Sequence, residues 1–419
     1  MPSNAPPLRW TSRIFALSWL SYFSYYFTRK NFSAVKSSIG LAEVWLKWID
    51  FAYLLGYCVG QFIAGALGDV VGPRLLVTAG MLGTTVITVV FATTDSITAS
   101  VVTTYIVCSA LNGLVQATGW PGNGKLMATW FPAATRGEVM GYWGTCYQLG
   151  GLAATAVAGW LLNWGWHVVY YGVAVWVGGV AIAYWVAVRD RPSEVGFEDP
   201  DSEPGLSAEE LVALRRAQWP RLLRTPLLYA LGFSYFGLKL MRYGFLFWLP
   251  YYLNVSLGYG KSEAAYVSVA FELGGVVFVV IAGLIADRLL GKRRILVAAA
   301  CSALLFFALL LYREFGAQSA ALNIATLMLV GGFLFGADTL VSGAASQDLG
   351  GPHAASLACG LINGIGSVGA VVQSLTLLAI KNAWGWDGVF VLFQGMAVLA
   401  CLPLLPFVKI RPRTTASVF

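Results

Sequence analysis

Twelve apolar runs of about 20 residues alternate with polar loops along the chain. A helix of about 20 apolar residues crosses a bilayer core about 30 Å thick. The pattern therefore predicts an all-α membrane protein with spans at 12–35, 46–67, 75–94, 100–126, 137–162, 168–188, 227–254, 262–286, 295–312, 322–345, 354–379 and 389–408. A polar stretch from Arg189 to Arg224, rich in Asp, Glu, Pro and Arg, separates two sets of six. The expected organisation is an N-terminal six-helix bundle (1–188), a cytoplasmic linker (189–224) and a C-terminal six-helix bundle (225–419).

Composition agrees with this pattern. Of 419 residues, 58% are hydrophobic and 11% charged, and the mean hydropathy is +0.70. Soluble domains carry roughly 25% charged residues, so this chain cannot clothe a globular surface in polar groups. The same figures exclude intrinsic disorder and a secreted disulfide scaffold. The six cysteines lie inside apolar runs without metal-ligand spacing, and neither metal nor cofactor is expected. A net charge of +7 does not point to nucleic acid, because the cations cluster in short loops. With both termini inside, 17 of the 27 Lys and Arg fall in cytoplasmic segments, five in the opposite loops and five within spans. That bias sets the orientation.

A repeated motif relates the halves. Gly65-Ala-Leu-Gly-Asp69 with Gly72-Pro73-Arg74 follows the second span, and Gly283-Leu-Ile-Ala-Asp287-Arg288 with Gly291 follows the eighth. A charged hairpin turn accounts for one G-x-x-x-D copy; two copies in equivalent loops indicate pseudo-symmetry.

Charges inside spans carry the chemistry. A charge at the bilayer centre costs roughly 3 kcal/mol on insertion scales and so tends to face a cavity. Arg29 and Lys30 end the first span, while Lys239 and Arg242 occupy the seventh, its equivalent in the second half. Two arginines on equivalent helices would converge on one ligand; the alternatives are snorkelling or an ion pair with Glu272 or Asp338. A guanidinium never loses its proton and offers a planar fork that matches phosphate oxygens. Tyr22, Tyr25 and Tyr26 share the Arg29 face of the first helix at spacings of seven, four and three residues. Lys239 lies one turn before Arg242 and adds a cation, either on the phosphoryl group or neutralised by an acid such as Glu272.

These residues carry a resemblance. The paired G-x-x-x-D turns resemble the signature of the major facilitator superfamily, whose fold is two pseudo-symmetric six-helix bundles with substrate bound between them near mid-depth. Tyr25-Tyr26-Phe-Thr-Arg29-Lys30, Gly119-Trp120-Pro121, Arg242-Tyr243-Gly244 and Gly385-Trp386-Asp387-Gly388 are similar to the organophosphate:phosphate antiporter family within it. Asn112 to Pro121 and Asn363 to Gly369 are most like its sugar-phosphate carriers. The resemblance implies that Arg29 and Arg242 grip a phosphoryl group, with Tyr22 and Tyr26 nearby. It implies too that Asp69, Arg74, Asp287 and Arg288 lock the cytoplasmic side. Gln61 stands where the glycerol-3-phosphate carrier has lysine, Tyr147 where it has histidine, Lys239 where it has tyrosine, and Asp338 where proline is usual.

The expected activity is exchange of an organophosphate, a sugar phosphate or glycerol 3-phosphate, for inorganic phosphate by a monomer in membrane lipid. Without ligand, uncompensated cations facing one another would oppose the return of the carrier. The rivals are a proton-coupled organic-anion transporter using Glu272, Asp338 or Asp50, and a transporter-like sugar-phosphate sensor. An enzyme is not expected, since no nucleotide loop, metal cluster or nucleophile constellation is present. The last residues, Ala416 to Phe419, hold no retention signal. The compact loops suit a bacterial cytoplasmic membrane, with the endoplasmic reticulum as the alternative.

Overall fold

A computed structural model of the chain describes residues 6–36, 39–94, 99–200 and 217–411, and among these all regular structure is helical. The first half contains α1 (Leu8–Val35), α2 (Glu43–Val71), α3 (Pro73–Ala92), α4 (Ala99–Gln116), α5 (Gly119–Trp130), α6 (Arg136–Leu161) and α7 (Trp166–Ala187). The second contains α8 (Pro226–Val255), α9 (Lys261–Leu284), α10 (Arg294–Phe315), α11 (Ala320–Thr339) and α12 (Ser346–Cys401). In lipid, every backbone N–H and C=O must find an internal partner, and continuous helices supply it.

Helices and crossings do not correspond one to one. α4 and α5 make a single crossing, broken at Ala117 and Thr118 where the 100–126 span was expected to be continuous. α9 and α11 continue through π-helical turns at Ile285–Leu289 and Leu340–Ala345. α12 leaves helical geometry at Gly351, Ala354 and Gly385, so it completes the tenth crossing and then supplies the eleventh and twelfth. Eight segments are apolar and long enough to be read as spans on composition alone. α1, α6 and α8 fall short of that standard, and one of the eight, His353–Phe407, contains two crossings. Twelve crossings result. The three helices that fail the apolar test are those carrying Arg29, Tyr147 and Arg242.

Strict alternation of direction brings the start of α1, both G-x-x-x-D turns, the 189–200 segment and the end of α12 to one end of the molecule, the motif end. Both turns need left-handed backbone. Gly72 has φ +86°, followed by Pro73 at the first position of α3, and the second turn uses Gly291 (φ +58°) and Lys292 (φ +68°). Arg215, Arg216 and Arg413, counted above among the loop cations, lie outside the described residues.

Within the first half α1 packs on α6 and α7, and α3 on α7; within the second, α8 packs on α12 and α9 on α11. The halves meet where α2 and α5 lie against α12 and where α6 lies against α9. Large apolar side chains such as Val86, Trp160, Val175 and Phe307 remain exposed on the outside, as a lipid-facing surface requires.

Candidate functional site

The motif glycines set how closely the halves approach. A Cβ on Gly65 of α2 would sit 2.8 Å from Gly360 Cα of α12, and one on Gly283 of α9 would sit 2.5 Å from the Gly137 carbonyl oxygen of α6. Only a hydrogen at these positions permits such contact. One turn later, each motif aspartate reaches across the seam. Asp69 accepts the Leu357 N–H (2.8 Å) and Ser356 N–H (3.3 Å) at the start of the eleventh crossing. Asp287 accepts the Glu138 N–H (2.9 Å) at the start of α6. A carboxylate at a helix N-terminus satisfies orphan N–H groups and complements the helix dipole. Each G-x-x-x-D copy is therefore a clasp on the other bundle.

Buried cations complete the clasps. Lys125 pairs with Asp69 at 3.0 Å, and both are almost fully buried. Arg294 pairs with Asp287 at 3.0 Å and donates to the Ala133 carbonyl at 2.6 Å. Asp348 bridges Arg294 and Arg136, the latter at 2.8 Å. Arg288 pairs with Glu138 but is 64% exposed, which makes it the weak member of the group. Arg74 does not cross the seam. Its Nε donates to the Trp185 carbonyl at 2.7 Å and its N–H to Asp190 at 2.7 Å, tying α3 to α7 within the first half. The expected lock thus has Asp69, Asp287 and Arg288 at the seam, with Lys125, Arg136, Arg294 and Asp348 in place of Arg74.

At mid-depth the two arginines line one cavity, which runs away from the motif end between α1, α2, α3, α4 and α8. Arg29 Nε donates to Gln116 Oε1 (3.0 Å) and Nη2 to the Tyr57 hydroxyl (3.2 Å). Its guanidinium lies 4.8 Å from the Tyr26 ring centre, 4.7 Å from Tyr57 and 5.4 Å from Tyr22. Arg242 Nη2 donates to the Tyr26 hydroxyl at 2.7 Å, so Tyr26 links the arginines across the two bundles. Tyr147 lies under Arg242, 4.5 Å from ring centre to guanidinium, and its hydroxyl shares a 2.7 Å hydrogen bond with Thr339. Tyr25 is structural, with its hydroxyl on Thr118 and the Val77 carbonyl.

Charge is distributed unevenly between the arginines. Arg242 Nη1 pairs at 3.1 Å with Asp338, a fully buried carboxylate that also accepts from the Tyr235 hydroxyl at 3.2 Å. Among the described residues Arg29 has no such partner. The expectation of two uncompensated guanidiniums is thus corrected at Arg242, where Asp338 supplies the counter-charge. Lys239 is buried and donates to Asn363 and to Ser367 Oγ (2.7 Å), neutral groups rather than Glu272. Glu272 instead interacts with Lys30, which lines the cavity, and with Arg242. Asp50 also lines the cavity and is paired with Lys36, so five cations (Arg29, Lys30, Lys36, Lys239, Arg242) against three carboxylates (Asp50, Glu272, Asp338) leave the site with an excess of two positive charges. Tyr57 was not singled out from the sequence, and Gln116, Asn363 and Ser367 entered only within segments that resemble the sugar-phosphate carriers, without a role; uncharged residues on apolar helices give no role until the facing helix is known.

A sequence profile of the Major Facilitator Superfamily matches residues 14–374 and 231–418. A putative glycerol-3-phosphate transporter of Arabidopsis thaliana is 30% identical over 93% of this chain and 85% of its own length. Sugar phosphate exchanger 3 of Mus musculus is 28% identical over 94% of this chain and 92% of its own. A glucose-6-phosphate exchanger of Bos taurus is 28% identical over 96% and 94%. Among solved structures, a proton:xylose symporter superposes with a TM-score of 0.75 at 15% identity, covering 97% of this chain and 98% of the other. A human organic anion transporter gives 0.73 at 15% identity, with 95% and 100% coverage.

Proposed function

Since the chain belongs to the major facilitator superfamily and to its organophosphate:phosphate antiporter branch, we propose that it exchanges a phosphate ester for inorganic phosphate by alternating access. The observation that carries this reading is the convergence of Arg29 and Arg242, from opposite bundles, on one cavity with Tyr26 between them. An excess of two positive charges matches a phosphate dianion. It does not match a neutral sugar, and a cationic ligand would be repelled. Phosphate held by both forks would draw the bundles together, after which the clasps at the motif end release and the opposite end closes. Lys30, Lys239, Tyr22 and Tyr147 support the clasp: the lysines through their field, the tyrosines by fixing the arginine planes.

The loop-cation bias supports a cytoplasmic location for the motif end. In that orientation the present conformation is sealed inside, with its cavity directed outward. The carrier acts as a monomer, each copy holding a complete site.

Binding has a direct readout in purified protein. Phosphate or a phosphate ester at 100 times its Kd should stabilise the protein by about 2.7 kcal/mol, seen as a rise in Tm, whereas a neutral monosaccharide leaves Tm unchanged. Stabilisation by the neutral sugar alone contradicts the proposal.

A further inference from the structure

A second cavity lies at the motif end and is formed by the second bundle alone. It measures about 330 Å³, within the range of small-molecule sites. Its wall joins Thr225 at the start of α8, Lys292 and Arg294 at the start of α10, Asp348 at the end of the tenth crossing and Arg411 beyond α12. Both oxygens of Asp348 are already paired, one with Arg136 and one with Arg294. Arg294 also holds Asp287. Those two arginines and two carboxylates cancel. Lys292 and Arg411 are left over, and among the described residues neither has an acidic partner.

The two remaining cations are held together rather than apart. Gly291 (φ +58°) lets Arg411 lie close over the turn, where a Cβ would sit 3.9 Å from the guanidinium carbon. Lys292 follows at φ +68°, the single non-glycine residue with left-handed backbone among the described residues. Glycine adopts that conformation freely, and a residue with a Cβ does not. The turn is pinned by the Lys292 N–H on the Ala286 carbonyl (2.8 Å) and the Arg294 N–H on the Lys292 carbonyl (3.0 Å). A lysine thus stands where glycine would suit the backbone better, beside a second cation, on the wall of a cavity. An anion between the two would offset both the strain and the like-charge repulsion.

We propose that this cavity binds the headgroup phosphate of an anionic phospholipid, with Lys292 and Arg411 as its charged contacts. Its surroundings favour lipid over a free anion. The cations stand where helices end, and the neighbouring chain is apolar and exposed: Leu289 is 75% exposed, Leu405 48% and Ile410, on the cavity wall, 43%. Acyl chains cover such side chains, whereas a water-facing phosphate site would leave them in water. Basic pockets among helix ends on the cytoplasmic side suit anionic headgroups, and the loop-cation bias supports that side for the motif end. The site uses no residue of the arginine cavity, so it stands independently of phosphate exchange.

The test incubates the purified full-length carrier with equimolar phosphatidylglycerol and phosphatidylcholine and reads the ratio of bound lipids by native mass spectrometry. Wild type is expected to prefer phosphatidylglycerol about 30-fold, or about 1 kcal/mol for each cation. Lys292→Gly should lower the preference about 5-fold. Its Tm in neutral lipid should stay level or rise, because glycine relieves the left-handed backbone. Arg411→Gln should also cost about 5-fold, and the two changes together should bring the ratio near unity. Lys409, an exposed cation two residues from Arg411, does not line the cavity. Lys409→Gln should therefore change the ratio about 2-fold or less. An equal loss in Lys409→Gln overturns the site, since only the field of a basic surface would then be at work. A wild type without preference, or a preference that survives the double change, overturns it too. Inorganic phosphate in millimolar excess should leave the lipid ratio unchanged; displacement of the lipid would assign the cavity to a free phosphate and overturn the lipid reading.

Discussion

Arg29→Lys is expected to lower phosphate affinity about 30-fold and to cripple exchange, with the protein still folded. Lysine keeps the charge and loses the fork. Arg29 Nε and Nη2 are held by Gln116 and Tyr57, so the guanidinium plane is fixed before ligand arrives. An ammonium on a flexible stem cannot hold both neutral partners and also meet two phosphate oxygens. Losing a hydrogen bond to a charged group costs about 2 kcal/mol, which is the 30-fold. Arg242→Lys should do the same, since its two Nη atoms already serve Asp338 and Tyr26. Binding in detergent and exchange in proteoliposomes, at matched protein amounts, check both; wild-type rates in either variant remove the two-arginine site.

Asp69→Asn should move the balance between the two open forms by about 3 kcal/mol or more. Its carboxylate faces Lys125 at 3.0 Å in a buried seam, and a buried cation stripped of its partner costs about 3–5 kcal/mol. That cost falls on the form sealed at the motif end, because opening the seam hydrates Lys125. The population ratio should therefore change more than 100-fold, while intrinsic phosphate affinity at mid-depth stays near wild type. Reactivity of single cysteines placed at the motif end reports the shift. Adding Lys125→Gln to Asp69→Asn should recover much of it, as the orphaned charge is gone. A collapse of phosphate affinity with an unchanged cysteine pattern would sink this account of the clasp.

Much of this architecture can be read in the sequence, because lipid imposes few solutions: runs of about 20 apolar residues mark crossings, and cations inside them mark a cavity. Arg29 and Arg242 stand out on that ground, and Asp338 is visible as a possible partner. Lys125 gives the same signal, yet only the packing of α2, α5 and α12 shows that it belongs to the Asp69 clasp. Arg136 and Arg294 look like ordinary loop cations. Both are buried, since the loops that carry them are pinched into the seam by Gly137 and Gly283. Tyr57, Gln116, Asn363 and Ser367 face the site only because their helices are rotated toward α1 and α8, and rotation is set by long-range packing. The break after Gln116 is likewise tertiary, whereas the kinks at Gly351 and Gly385 fall in the gaps expected between the last three spans.

The most direct test of phosphate exchange is counterflow of labelled inorganic phosphate into proteoliposomes containing only this protein. Vesicles loaded with unlabelled phosphate should take up label many times faster than empty vesicles, and a proton uncoupler should not change the difference. Uptake that is equal in loaded and empty vesicles and is abolished by the uncoupler would contradict exchange and identify a proton-coupled carrier.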